Sequence, residues 1–184
     1  YVNDKDQGVP IGGFTQMFEK MLDGIEVKLN KDYFYMKNYY NSIADKIVYT
    51  GCIDEFFDYK YGELGYRSLR FETGVLDMEN YQGCAVINQC DHTEEYTRTV
   101  EHKHFEKVKT DHTVITREYP IEYKRGMIPY YPINTKENAE MYDKYRKESK
   151  TLTNIIFGGR LAEYKYMDMH IVIESAMNKF RSAQ

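Results

Sequence analysis

The chain has 184 residues, 42% of them hydrophobic, enough to build one large domain or two small lobes and too many for a disordered chain. Its formal charge of −4 argues against a surface made to neutralise nucleic-acid phosphates, and no apolar run approaches the roughly 18 residues of a membrane span. Cys52, Cys84 and Cys90 are odd in number and form no C-x-x-C pair, which argues against a disulfide scaffold or zinc ribbon and fits reduced thiols in a cytosol.

Taken in chain order, the first element follows Gly12-Gly13. Phe14, Met17, Phe18, Met21 and Leu22 recur at helical spacing and predict an amphipathic helix that stops at Gly24. A short strand is expected over 26–29, and the tyrosine-rich stretch 33–40 leads to a strand over 46–50 that ends at Gly51. From 66 to 120, β-branched and aromatic residues alternate with polar ones. This predicts an antiparallel meander with strands over 68–73, 85–88, 97–105 and 113–119, broken by turns at Thr73-Gly74, Gln82-Gly83 and Asp91-His92. Pro129 and Pro132 flank Tyr130-Tyr131 and are expected to hold them on a constrained loop. Residues 136–149 return to a charged helical pattern, followed by a strand over 154–157, a paired-glycine turn at Gly158-Gly159 and a helix from about Asp168. The α/β segments thus flank the sheet in sequence, and the simplest architecture is a discontinuous α/β lobe interrupted by an antiparallel sheet lobe.

The glycine turn is the first candidate site. Without a Cβ, Gly158 and Gly159 let a ligand approach the backbone, and the first amides of a helix capped by Asp168 face the same space. A phosphate or an electron-rich ring suits it, with Arg160 and Tyr166 beside it; capping alone would explain Asp168 equally well. In the sheet, the period of two places Tyr96, Arg98, Val100, His102 and His104 on one face, where Arg98 reads most simply as a surface residue. The H-x-H pair lacks an evident third metal ligand, so sheet-face histidines are the better reading. Arg67 is explained equally by an ion pair with Glu63 or Glu72. Nineteen tyrosines and no tryptophan suit half-buried sheet faces as well as sugar or nucleotide sites.

Several stretches together resemble one family. GGRLAEYKYMDMH at 158–170 is similar, nearly letter for letter, to the C-terminal flavin-binding signature of bacterial UDP-galactopyranose mutases. QGVPIGGFTQMFEKML, KIVYTG, the ID-FFDY stretch from Ile53 to Tyr59, YRSLRFET, AVIN, YTRTVEHKHF and PYYPIN follow in the family order between residues 7 and 134. The resemblance implies an α+β fold: the C-terminal part of a Rossmann-like FAD-binding α/β domain (1–61 and 134–184) interrupted by a mainly antiparallel β-sheet domain (62–133). No G-x-G-x-x-G turn occurs, and the chain starts at Tyr1 without an initiator methionine, so roughly the C-terminal half of a longer enzyme is expected, inactive by itself.

The activity implied is interconversion of UDP-galactopyranose and UDP-galactofuranose, supplying galactofuranose for cell-wall polysaccharide, with reduced FAD acting as nucleophile through N5 and no catalytic side chain. On the same resemblance Arg67, Arg98, Tyr131, Tyr166 and Tyr1 bind the UDP-sugar, and Thr50, Gly51, Gly159, Arg160, Asp168 and Met169 contact FAD. The family's usual proline after the Y-T-G motif is here Cys52, which weakens the expectation of a rigid turn. The resemblance implies no metal and allows a homodimer. With neither the basic start nor the apolar stretch of a signal peptide, a cytoplasmic protein that binds neither nucleic acid nor membrane is expected. The alternatives are a non-catalytic sheet module that binds a sugar nucleotide or glycan, and a flavin amine oxidase.

Overall fold

The computed structural model describes residues 3 and 5–183. In chain order the elements are α1 (Gly13–Met21), a 3-10 turn (Phe34–Met36), α2 (Lys37–Ile43), β1 (Ile47–Tyr49), α3 (Ile53–Phe56), β2 (Tyr66–Leu76), β3 (Val86–Asn88) and β4 (Arg98–Glu101). They continue with α4 (Lys103–Glu106), β5 (Thr113–Glu122), β6 (Tyr131–Pro132), α5 (Lys136–Ser149), β7 (Ile155–Phe157), α6 (Gly159–Ala162) and α7 (Met169–Ala183). The fold is mixed α and β. A two-stranded parallel sheet pairs β1 with β7, and a five-stranded sheet has the order β3-β4-β5-β2-β6, antiparallel in the pairs β3/β4, β4/β5 and β2/β6.

The chain forms two compact units, Tyr1–Lys31 with Arg70–Pro120 and Asp32–Leu69 with Ile121–Gln184. In the second unit one apolar cluster gathers Cys52, Ile53, Leu64, Tyr66, Tyr145 and Tyr164. Another gathers Tyr49, Phe56, Ile155 and Ala162, with Tyr33, Phe34 and Phe157 packed against it. Two of the tyrosines in the first of these clusters, Tyr145 and Tyr164, give their hydroxyls to backbone partners. The fully buried Tyr145 donates to the Gly62 carbonyl at 2.7 Å and accepts from the Tyr61 amide at 2.9 Å, while Tyr164 donates to the carbonyl of Ile133 at 3.0 Å.

In the first unit the corresponding anchor is charged. Glu101 is fully buried, and its carboxylate accepts from the amides of Tyr81 (3.0 Å) and Gln82 (2.8 Å) and from the Thr113 hydroxyl (2.7 Å). His104 Nε2 lies 3.1 Å from the other side of the same group. A carboxylate with this many donors ties the β2–β3 connection to β4 and β5.

Five sequence expectations need correction. Residues 26–29 form no strand. The turn expected at Thr73-Gly74 is absent, because β2 runs straight through it to Leu76. The meander holds only for β3-β4-β5; β2 lies on the far side of β5. The strand expected over 97–105 ends at Glu101, where His102 turns αR and opens α4, so His102 and His104 leave the face they were assigned. Tyr131 and Pro132 are not purely loop: they form β6, in register with Arg67 and Tyr66. A proline at a strand edge needs no donor on its outer side, which makes that placement allowable.

Candidate functional site

The site residues in the second unit are placed by the parallel pair β1/β7. Ile47 is opposite Ile155 and Tyr49 opposite Phe157, so both strands end together and their turns, Thr50-Gly51 and Gly158-Gly159, emerge side by side. The Gly158 amide donates to the Tyr49 carbonyl at 3.1 Å and carries the pairing one residue beyond the strands. Gly159 has φ +82°, a left-handed conformation that side chains resist, and a Cβ there would meet nothing closer than the Thr50 side chain at 3.8 Å. Conformation, and the open space above it, explains this glycine. Gly51 has a different reason: a Cβ there would sit 2.5 Å from the Tyr49 hydroxyl oxygen.

A second group of candidates is joined to the first through α6. Arg67 on β2 is the cross-strand partner of Tyr131 on β6, and the Tyr131 ring stacks on Tyr166 with centroids 6.1 Å apart. The Tyr166 hydroxyl donates to Asp168 Oδ1 at 3.0 Å, immediately before α7. Hydrogen bonding to that carboxylate, with burial behind it, raises the Tyr166 phenol above its ordinary range, against the pull of the nearby Arg160 guanidinium. Tyr166 is therefore a neutral donor at physiological pH. Glu63 pairs with Arg125 and Glu72 with Arg70, so neither carboxylate expected to pair with Arg67 does so, and Arg67 points into solvent. Met169, the first residue of α7, is exposed.

Arg98 lies in the first unit. Its Nε donates to Asn88 Oδ1 at 3.0 Å and its Nη1 stands 3.5 Å from Glu118 Oε2, two neighbours that orient the guanidinium. Sequence reasoning missed both. The cross-strand register of Asn88, Arg98 and Glu118 was the signal, and it becomes readable only once β3, β4 and β5 are aligned. His102 contacts the Thr116 hydroxyl at 2.7 Å, whereas His104 contacts Glu101 and Asn80, so the two do not converge. Among the described residues no three His, Cys, Asp or Glu side chains gather where a metal ion could be held. Tyr1 lies outside the described residues.

The donor set suits a flavin ring. Gly159 leaves backbone open, the Thr50 hydroxyl and the Arg160 guanidinium are donors of the kind that ring carbonyls accept from, and the long helix α7 starts beside Asp168. An apolar cavity of ≈ 560 Å³ is lined by Val48, Thr50, Ile156, Gly158, Gly159 and Val172, among others, on the side of the sheet that α7 covers.

A family model described as UDP-galactopyranose mutase matches residues 1–166. Among curated proteins the chain is similar to "dTDP-fucopyranose mutase" of Escherichia coli, 35% identical over 187 residues that cover 96% of this chain and 48% of that protein. It is also similar to "Probable UDP-galactopyranose mutase" of Klebsiella pneumoniae, at 36% over 178 residues (96% and 46%). "UDP-galactopyranose mutase" of Mycoplasma pneumoniae matches at 35% over 188 residues (94% and 47%). The chain spans about half the length of these curated relatives.

Proposed function

The chain belongs to the UDP-galactopyranose mutase family, and from that premise we propose that the protein carrying it interconverts UDP-galactopyranose and UDP-galactofuranose with the help of reduced FAD. When bound, reduced FAD supplies a nucleophile at N5 for the anomeric carbon, in a ring contraction without net redox change. The chain's own residues then have two tasks. Arg67, Arg98, Tyr131 and Tyr166 bind the sugar diphosphate, with Tyr1 toward the nucleotide end, and Thr50, Gly51, Gly159, Arg160, Asp168 and Met169 hold the flavin. Fixing the diphosphate fixes the sugar ring over the cofactor, so position and charge take the place of a side-chain base.

What supports the reading is the meeting, inside one unit, of a glycine-turn pair and the Arg67–Tyr131–Tyr166–Asp168 series. A sheet that only bound glycans would have no use for the first. We further assign residues 1–61 and 134–184 to a Rossmann-like FAD-binding domain and 62–133 to the antiparallel sheet domain, in a cytoplasmic protein for which the resemblance allows a homodimer. The relative named dTDP-fucopyranose mutase matches as well as those named for UDP-galactopyranose, so substrate assays should offer both nucleotide sugars.

Two variants separate the two tasks. Arg98→Ala should weaken UDP binding about ten- to hundredfold, as expected for a charge-assisted phosphate contact, and leave flavin content normal. Arg160→Ala should lower FAD occupancy or alter the flavin spectrum more than it alters UDP affinity. UDP titration and flavin absorbance on both proteins decide the matter; normal UDP binding with lost FAD in Arg98→Ala overturns the assignment.

A further inference from the structure

Tyr49 touches both turns that carry the glycines of the site. Its carbonyl accepts from the Gly158 amide at 3.1 Å, and its hydroxyl curls back to donate to the Cys52 carbonyl, also at 3.1 Å. The ring is fixed from several sides, with centroids 5.0 Å from Phe56, 5.9 Å from Phe157 and 5.7 Å from Tyr33. Burial pushes its phenol far above the ordinary range, with the Glu55 charge adding to the effect, so the hydroxyl stays a donor at any physiological pH. Position 51 takes a glycine because this hydroxyl occupies the place a Cβ would fill. The turn is thus shaped from beneath by a side chain of the strand that precedes it.

We infer that Tyr49 is a positioning residue: its hydroxyl sets the Thr50-Gly51 turn against Gly158-Gly159 and so fixes the backbone that faces the flavin. This rests on the proposed assignment of both turns to FAD. The phenol bonded to the Cys52 carbonyl restrains the backbone where it leaves Gly51. The carbonyl of Cys52 also accepts from the Phe56 amide at 3.1 Å, so removing the phenol leaves it partnered. The hydroxyl therefore matters more to the shape of the turn than to overall stability.

The test compares Tyr49→Phe with Tyr33→Phe, which removes a hydroxyl from the same aromatic cluster but one bonded only to the exposed Asn41. In the chain itself, Tyr49→Phe should speed amide exchange at Gly158 and Phe56 about three- to tenfold, the worth of one net hydrogen bond, and lower the melting temperature by no more than a few degrees. In the FAD-loaded protein it should weaken FAD by a similar factor and shift the flavin absorption bands. Tyr33→Phe should do neither. Unchanged exchange in Tyr49→Phe overturns the positioning role. Faster exchange with unaltered FAD affinity and spectrum shows that the turn does not face the flavin, and overturns the assignment on which the inference rests.

Discussion

Glu101 shows how a single side chain can carry a region. Burial pushes its carboxyl up, yet the Gln82 amide, the Thr113 hydroxyl, the Tyr81 amide and His104 together outweigh that and hold it at about 2. A carboxyl depressed on folding stabilises the fold above its unfolded value of about 4.3 and loses that contribution as pH falls toward the folded value. The first unit should therefore lose stability between about pH 4.3 and about 2, and Glu101→Gln should flatten that dependence while melting lower at neutral pH. Melting curves across this range check both. A second residue prediction concerns Gly51→Ala: its Cβ would press on the Tyr49 hydroxyl at 2.5 Å, so the phenol must move. Overpacking of this kind costs about 1–3 kcal/mol, measurable by denaturant titration. Neither role was legible in the sequence, where Glu101 is one acid in a basic strand and Gly51 reads as a place for a ligand. A hydrogen-bond donor contributed from 20 residues away, such as the Tyr81 amide, leaves no local pattern.

At the scale of elements, α5 spans Lys136–Ser149, the range its charged helical pattern implied, because Thr135 marks its start. The Thr135 hydroxyl accepts from the Asn138 amide at 3.2 Å. The strands β1 and β7 were equally legible, each being a short apolar run closed by a glycine. The segment from 97 to 105 was not: T-R-T-V-E-H-K-H-F alternates like a strand throughout, but the buried Glu101 must gather its donors and the backbone turns directly after it. Tertiary demand overrode local alternation there. The α5 helix is joined to the turn at 59–62 by Glu148, which pairs with Lys60 and accepts from the Tyr61 hydroxyl, and by the Tyr145 phenol, so Tyr145→Phe would leave the Tyr61 amide without its acceptor and the Gly62 carbonyl without its donor. A loss of about 1–3 kcal/mol is expected, read from urea unfolding; a loss below about 0.5 would deny this hydroxyl its anchoring role.

For the whole molecule, the sequence conveyed the α and β composition and the family, while the order of strands in the larger sheet came only from the structure. Alternation assigns faces, not neighbours, so it could not place β2 beside β5. On α7, Met169, Ile173, Met177 and Phe180 form an exposed apolar stripe. The chain purified by itself should self-associate through such a stripe, and Ile173→Glu with Met177→Lys should reduce its light-scattering mass without lowering its melting temperature. The most direct measurement of the proposed interconversion follows, by chromatography, UDP-galactofuranose and UDP-galactopyranose mixed separately with the FAD-loaded protein that carries this chain, oxidised and then reduced with dithionite. The reduced protein should bring both reactions to the same mixture while the oxidised protein converts neither. Failure of the reduced protein to interconvert these sugars in either direction would contradict the proposed function.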